Sequence, residues 1–600
     1  MHATRGPAPA DAAGWGRAAR VLLITLILVY GAVLRLAALT DIYGPVQHPG
    51  WLRTMQQAVA ASPYLRPAAI RWDRSELFPH RNGPPSQYRS DPYTYLQYAR
   101  EMRNVYAAHR REPLFPFATK VWLWLLSDQD VAVSFASAAF SVLAIAATFW
   151  LGAAAFGYRV GVGAAALMAI EYDLIAWGVG GWRDDAFMCA VVLTAVGLLR
   201  FKRDPGWRSG LALGIIAGGA CLIRITSLSF ILPALAILAL WPGARWRERL
   251  IGAAVALTAA VCLTAPFLVN SWRVYGDPFY SINVHASDYQ EIEGGPADAS
   301  LTAGHYLDGH VRVRPMRTLD TVIQGLTVYP FGHKWHGFDR WHPSIGRWLS
   351  AIAVAGLILL AAFPSGRVLL VVLISSLVPF AATWKLAGDW RFTEHAYPFF
   401  LLAACVAVGV AARGLAMLRR PRGVDVRAFG VGMAWVGAAA IIAAAIWFLM
   451  ARVLPVRVVA ETLRAGEASM IMALDRDGAF FPQGWTPVSG GLPMRAIEGP
   501  RAVIHIPLPE AAAYDILLRI DPSADPIAEN QPIGRIYLLL NGRLLARCEP
   551  GSTPDRIGVC RMRVPADAVR RGTNRIGLAA EQEQARGFRV WYVRIERAVE

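Results

Sequence analysis

Six hundred residues, 55% hydrophobic and only 17% charged with a positive mean hydropathy, exclude an ordinary soluble enzyme and describe a polytopic membrane protein with soluble parts. The net charge is +17, yet the arginines gather beside apolar segments instead of forming one basic face with interleaved aromatics. That pattern argues against a nucleic-acid partner and fits topology signals and anionic headgroups.

At the N-terminus, Arg5, Arg17 and Arg20 precede an apolar run from Val21 to about Leu39. The run is as long as a full span and no small-residue cleavage site follows it, so it reads as a retained signal anchor behind a cytoplasmic tail over 1–20. A long polar loop over 41–130 follows. Further apolar spans fall at about 131–154, 160–178, 186–201, 209–240, 250–268, 347–363, 367–384, 395–412 and 428–450. The stretch 209–240 is too long for one crossing, and both its flanks are basic (Lys202, Arg203 and Arg208; Arg245, Arg247 and Arg249), so it is split at Arg224 as the outer turn of a hairpin. The expectation is a multi-pass protein of the inner membrane with about eleven helices over 21–452, its N-terminus cytoplasmic and its C-terminus outside. Arg159, Arg367 and the Arg413–Arg427 cluster then fall on the inner side, and a second long loop over 269–346 on the outer side.

The tail, 453–600, has short alternating runs (Tyr514 to Ile520, Arg535 to Leu545, Phe588 to Ile595) divided by turn signals such as Asn541–Gly542, which predicts an extracytoplasmic, jelly-roll-like β-sandwich. Trp485, Trp591 and Tyr592 are its candidate glycan-facing aromatics. Cys189, Cys221, Cys262 and Cys405 lie in apolar spans and read as buried hydrophobes, while Cys548 and Cys560 are placed to form a disulfide in an oxidising compartment.

The acids on the outer face are few: Asp91 in the first loop, and Asp184 with Asp185 after the turn Gly180–Arg183. A bland reading exists for each. Asp91 before Pro92 suits a helix N-cap, with Tyr95, Ala99 and Met102 on one face of a helix lying on the membrane, and an aspartate at a span boundary can be a cap as well. Tyr329 to His342 carries His333, His336 and His342, which can be drawn as metal ligands but whose spacing matches no standard site, so no metal is assigned, no cofactor is firmly predicted and a divalent metal is kept only as the minor alternative. Trp335 and its aromatic neighbours read as an interface belt or a sugar-stacking wall.

The order Asp91, Tyr95, Ala99, Met102, then Glu112–Pro113–Leu114–Phe115–Pro116, resembles the first loop of the GT-C membrane glycosyltransferases, in the protein-mannosyltransferase and aminoarabinose-transferase branch. Arg183–Asp184–Asp185–Ala186–Phe187 looks like that branch's second acidic motif, and Asn270–Asn283 and Arg391–Pro398 are similar to later ones. Glu112 stands where the aminoarabinose branch tends to carry lysine. The resemblance implies a GT-C-like fold over the helical region and an inverting hexosyl- or pentosyltransferase, acting on a polyprenyl-phosphate-linked sugar and a glycan, lipid or protein acceptor at the outer face. Under that implication Asp91 is the general base, with Asp184 or Asp185 assisting. Arg391, Lys385 and Arg224 hold the lipid phosphate, and Tyr93, Tyr95 and Trp335 touch acceptor or sugar. A carboxylate to take the acceptor proton and a cation for the departing phosphate are what such a transfer needs at headgroup level. Two rivals remain. A flippase of lipid-linked saccharides should carry internal symmetry and midplane ionisable residues, and a non-catalytic scaffold would need one span, not eleven.

Overall fold

Every apolar stretch read from the sequence is helical in the computed structural model, which describes residues 16–62, 90–240, 245–293, 298, 300–335, 338–341, 346–384, 386–387, 390–419, 426–472, 479–482, 484–485, 495–496, 501–521, 535–548, 558–580 and 589–598. Among the described residues six helices are long and apolar enough to cross a membrane: Arg17–Tyr43, Ala132–Phe156, Trp246–Tyr275, Pro364–Ala381, Arg391–Arg413 and Met433–Arg464. The pair Tyr158–Ile170 and Tyr172–Gly178, bent by 62°, makes a seventh if it is one span. Four shorter apolar helices accompany them, Leu114–Leu125, Trp207–Ile223, Ile225–Ala239 and Trp348–Leu360. The protein is a multi-pass, mostly helical membrane protein with antiparallel sheets at its C-terminal end.

The chain divides into two compact units. The first comprises 1–306, 341–380 and 389–439. Its helices approach closely wherever small residues face each other. A Cβ on Gly210, in Trp207–Ile223, would lie 2.2 Å from the Gly252 carbonyl oxygen of Trp246–Tyr275, and Gly214 and Gly218 continue that stripe. Such packing fixes the end of Trp207–Ile223, where Arg224 is extended (φ −156°, ψ 115°) and breaks the helix.

Among the described residues, the loop expected over 41–130 contains three helices, Gly50–Ala61, Ser90–Glu101 and Leu114–Leu125. The second and third pack on each other. Tyr95, Leu96, Tyr98, Ala99 and Met102 are each at most 2% exposed, so the apolar face of Ser90–Glu101 is buried in protein rather than laid on lipid. Leu114–Leu125 instead leaves Trp124 81% exposed. Cys262 is exposed on the surface of Trp246–Tyr275, against the expectation that it is buried.

The second unit joins 440–600 to 307–340 and 381–388. Glu461 stitches it. Its carboxylate accepts from the Met316 and Arg317 amides (3.0 Å each) at the start of Pro315–Thr327, where helix amides lack intrahelical partners. A strand pair, β1 (Gly332–Trp335) and β2 (Phe338–Trp341), precedes the main sheets. These are β3 (Ser469–Met472), β4 (Arg495–Ala496), β5 (Arg501–Leu508), β6 (Tyr514–Asp521), β7 (Ile536–Leu540), β8 (Arg543–Cys548), β9 (Gly558–Val564), β10 (Gly572–Ala580) and β11 (Arg589–Arg597). One sheet runs β5-β10-β7-β8, the other β3-β11-β6-β9 with β4 beside β11. Asn541 and Gly542 both have positive φ (51° and 89°), as the two-residue turn between β7 and β8 requires. Alternate residues, Ile504, Ile506, Leu538 and Ile576 from one sheet and Ile516, Leu518, Met562 and Ile595 from the other, form an apolar core. Cys548 of β8 and Cys560 of β9 are disulfide-bonded, tying the two sheets together.

Trp485 corrects an expectation. It is only 8% exposed, packs in that core and donates its indole N–H to the Val503 carbonyl at 2.8 Å, so it is no exposed sugar platform. Trp591 and Tyr592 are half-buried, each near the Arg519 guanidinium.

Candidate active site

The Ser90–Glu101 helix already includes Ser90, two residues before the Pro92 start that the N-cap reading required, which puts Asp91 in its first turn. Its carboxylate caps nothing. Oδ1 instead accepts from Arg111 Nη2 at 2.5 Å, and the side chain remains 27% exposed. Arg111 also meets His285 Nε2, while His285 Nδ1 lies 3.5 Å from Asp288, which pairs with Arg110 at 3.0 Å. Burial, then the charges of Arg111 and Arg183, push His285 down to about 2, so the imidazole is neutral and accepts from Arg111.

One helical turn beyond Asp91, Tyr95 sits between two guanidinium groups, those of Arg111 and Arg183, each 5.9 Å from the ring centre. It is 1% exposed, and burial pushes its hydroxyl up to about 12, so it stays a neutral phenol. Tyr93 lies on the open side, 38% exposed, and accepts from Gln97 at 2.7 Å.

The turn Gly180–Arg183 needs a positive φ at Gly181 (80°), and it delivers Arg183, Asp184 and Asp185 together. Arg183 pairs with Glu112, whose other oxygen accepts from the Ile225 amide at 3.0 Å. Asp184 accepts from Arg224 Nη2 at 2.8 Å and has Arg391 at 3.9 Å. Asp185 is fully buried and accepts from the Ser137 hydroxyl at 3.3 Å. Arg224 lies among the rings of Phe187, Phe380 and Phe392 (5.0 to 5.6 Å), and its Nε and Nη1 are buried without a hydrogen-bond partner. Arg391 lies 4.3 Å from the Trp182 ring.

Asp91 is the one exposed member of the three aspartates. Burial acts on it most strongly and pushes its carboxyl up. The charges of Arg111, Arg391, Arg183 and His285 together outweigh that and hold it below the usual carboxylate range. An ionised, reachable carboxylate beside guanidinium groups with unspent donors can accept a hydroxyl proton and hold an anion in the same place.

Of the residues expected at the site, Asp91, Asp184, Asp185, Arg224, Arg391, Tyr93 and Tyr95 all lie in the first unit, in the segments just described. Trp335 is on β1 of the second unit, and Lys385, His336 and His342 lie outside the described residues. Among the described residues no three histidine, cysteine or acidic side chains are grouped as metal ligands. Arg111 and His285 were missed. Arg111 is next to Glu112, but nothing local marks which acid it meets 20 residues away.

Residues 110–270, from beside Arg111 through the Asp184–Asp185 turn to beyond Arg224, match the family described as dolichyl-phosphate-mannose-protein mannosyltransferase. Over that stretch the chain is similar to this mannosyltransferase family. Solved structures similar to this chain include the Archaeoglobus fulgidus oligosaccharyltransferase in the apo form (14% identity, 71% of this chain and 54% of that one, TM-score 0.42). Another is the archaeal oligosaccharyltransferase AglB from the same organism with an inhibitory peptide and a dolichol-phosphate (16% identity, 70% and 54%, TM-score 0.39). The chain spans about half the length of these structures. No curated protein matches it.

Proposed function

We propose that the protein transfers a hexosyl or pentosyl group from a polyprenyl-phosphate donor to a hydroxyl of a glycan, lipid or protein acceptor at the outer face of the inner membrane, with inversion. The acceptor oxygen attacks the anomeric carbon as its bond to the phosphate oxygen breaks, and Asp91 takes the acceptor proton. The departing lipid phosphate gains charge, which Arg224, Arg391 and Lys385 hold, while Asp184 fixes the two arginines in place and Asp185 supports the turn from within. This orientation puts the N-terminus in the cytoplasm and the sheets outside.

One observation carries the reading: Asp91 is partly exposed and kept ionised by Arg111, Arg391 and Arg183, and Arg224, which shares Asp184 with Arg391, keeps two donors unused. A base must be reachable and deprotonated, and a phosphate site must have donors to spare. Purified protein in lipid, incubated with labelled polyprenyl-phosphate hexoses and pentoses and candidate acceptors, should yield transfer. In Asp91→Asn that transfer falls by about 10²-fold to 10⁴-fold with donor binding kept. Near-normal transfer by Asp91→Asn, with Asp184→Asn or Asp185→Asn inactive, would move the base to the Gly180–Asp185 turn.

A further inference from the structure

The connection between Ser90–Glu101 and Leu114–Leu125 carries two consecutive arginines, Arg110 and Arg111, and one helix of the second long loop, Tyr280–Ile292, grips both. His285 and Asp288 stand three residues apart on that helix, on one face. Asp288 accepts from Arg110 Nη2 at 3.0 Å, and His285 Nε2 meets Arg111 Nη1. Arg111 Nη2 is the group that donates to Asp91, so the two arms of one guanidinium are held by the imidazole and by the carboxylate. Its remaining nitrogen, Nε, is buried without a hydrogen-bond partner. A guanidinium has only donors, so His285 Nε2 is the acceptor and the ring proton sits on Nδ1, which faces Asp288 at 3.5 Å. Asp288 thereby fixes the tautomer, and Arg110 meets the charge of Asp288. Burial first, then Arg111, Arg183 and Arg110, keep the imidazole neutral against the pull of Asp91. A neutral acceptor holds a guanidinium without drawing on its charge, whereas a carboxylate in its place would compete with Asp91 for it. Besides Arg111 and His285, the charges acting on Asp91 are those of Arg391 and Arg183, which come from other elements.

We infer that His285 is a positioning residue of the transfer reaction: by accepting from Arg111 it holds that guanidinium against Asp91. The inference rests on the reading of Asp91 as the base.

Two measurements on the full chain in lipid nanodiscs separate the inference from that reading. One is the rate at which phenylglyoxal labels Arg111, followed by peptide mass mapping, which needs no activity. The other is the acid limb of kcat/KM. In the wild type Arg111, whose side chain is 11% exposed, should label slowly. His285→Phe keeps a ring of similar size but offers no acceptor. Arg111 should then label about tenfold faster, the scale of one hydrogen bond to a charged group. The acid limb should move up by about one pH unit, which is about a tenfold loss of rate at a fixed pH below it. His285→Gln, whose side-chain carbonyl can accept where Nε2 does, should restore both. His285→Glu keeps an acceptor and adds a charge, so Arg111 should stay protected while the limb still moves up, and this variant decides the matter if His285→Phe does not fold. A structural role alone would lower kcat/KM by one factor at every pH and leave the limb in place. The inference is overturned if Arg111 is as protected in folded His285→Phe as in the wild type, or is freed in His285→Gln as well. It is also overturned if the limb moves in Arg111→Gln but in neither His285→Phe nor His285→Glu. Arg111 freed in His285→Phe with the limb unmoved in every variant upholds the hold on Arg111 and overturns Asp91 as the base instead.

Discussion

The interiors of the two units are built on opposite principles. The sandwich of the second unit hides aliphatic side chains from both sheets, closes them with a disulfide, and leaves its ion pairs, such as Arg543 with Asp567 and Arg594 with Glu596, on exposed surface. The first unit buries charge. Glu112, Arg183, Asp184 and Arg224 are each no more than 8% exposed, and Arg183 and Arg224 retain nitrogens with no partner. Desolvating an ion pair costs more than packing hydrocarbon of the same volume, so stability alone does not call for such an arrangement. What distinguishes the charged interior is its buried Arg183 and Arg224 nitrogens without partners, the donors that the proposed lipid phosphate would use.

The comparison breaks most visibly at Glu112. Glu112→Gln leaves the Arg183 charge buried and unpaired, which should destabilise the first unit by about 3–5 kcal/mol and abolish transfer. In Glu112→Met/Arg183→Met the charges leave together and hydrocarbon replaces them, so thermal unfolding in lipid should return close to the wild-type value while transfer stays lost. If the double variant regains activity, the pair is only structural.

The matching cut in the sandwich is Trp485→Ala. It removes a large core side chain and a hydrogen bond to Val503, and should destabilise the second unit by about 3–5 kcal/mol, read as loss of its own unfolding transition at a lower temperature. Cavity loss there has no conservative charge-pair rescue. Recovery by Trp485→Phe to within about 1.5 kcal/mol would confirm that shape and volume, not polarity, hold this core.

A smaller effect is expected of the disulfide. Reducing Cys548–Cys560 opens a short cross-link between β8 and β9, which should lower the stability of the sandwich by about 3 kcal/mol and leave the stability of the first unit unchanged. Alkylation of both cysteines without reductant would show that the link is not formed.

The two interiors also differ in how far the sequence discloses them. Alternation in Tyr514–Ile520 and the Asn541–Gly542 turn give strands and a hairpin because both signals are local, and hydropathy gives the helices for the same reason. Trp485 misleads because it has no periodic neighbours. Its burial depends on two sheets meeting, which no local window contains. Asp91, Asp184, Arg224 and Arg391 stand out as ionisable residues at span boundaries, but the pairing of Arg224 with Asp184 crosses 40 residues and that of Arg111 with His285 crosses 174. Helix packing decides such pairs. The N-cap reading of Asp91 fails on the same ground, since Arg111, 20 residues on in the connection after that helix, takes its carboxylate.

The finest distinction concerns Asp91, whose ionisation balances burial against charge. Arg111 is the strongest of the charges that hold its carboxyl below the usual range, and burial, the larger influence, pulls the other way. Arg111→Gln removes that charge and leaves the burial, so the Asp91 pKa must rise. A base works only when deprotonated, so the acid limb of kcat/KM should move to higher pH in Arg111→Gln, measured between about pH 3 and 7, a window that includes the ordinary carboxylate value of about 3.9. His285, pushed down to about 2, stays neutral over that window and adds no limb of its own. Stability follows the same sign. A carboxylate whose folded pKa is depressed contributes stability that is present above its unfolded pKa and lost as pH falls through the folded one, so the wild type should keep this contribution to lower pH than Arg111→Gln does. An unmoved acid limb, with transfer otherwise intact, would mean that the titrating base is not the carboxylate Arg111 holds, and Asp91 would lose its place in the reaction.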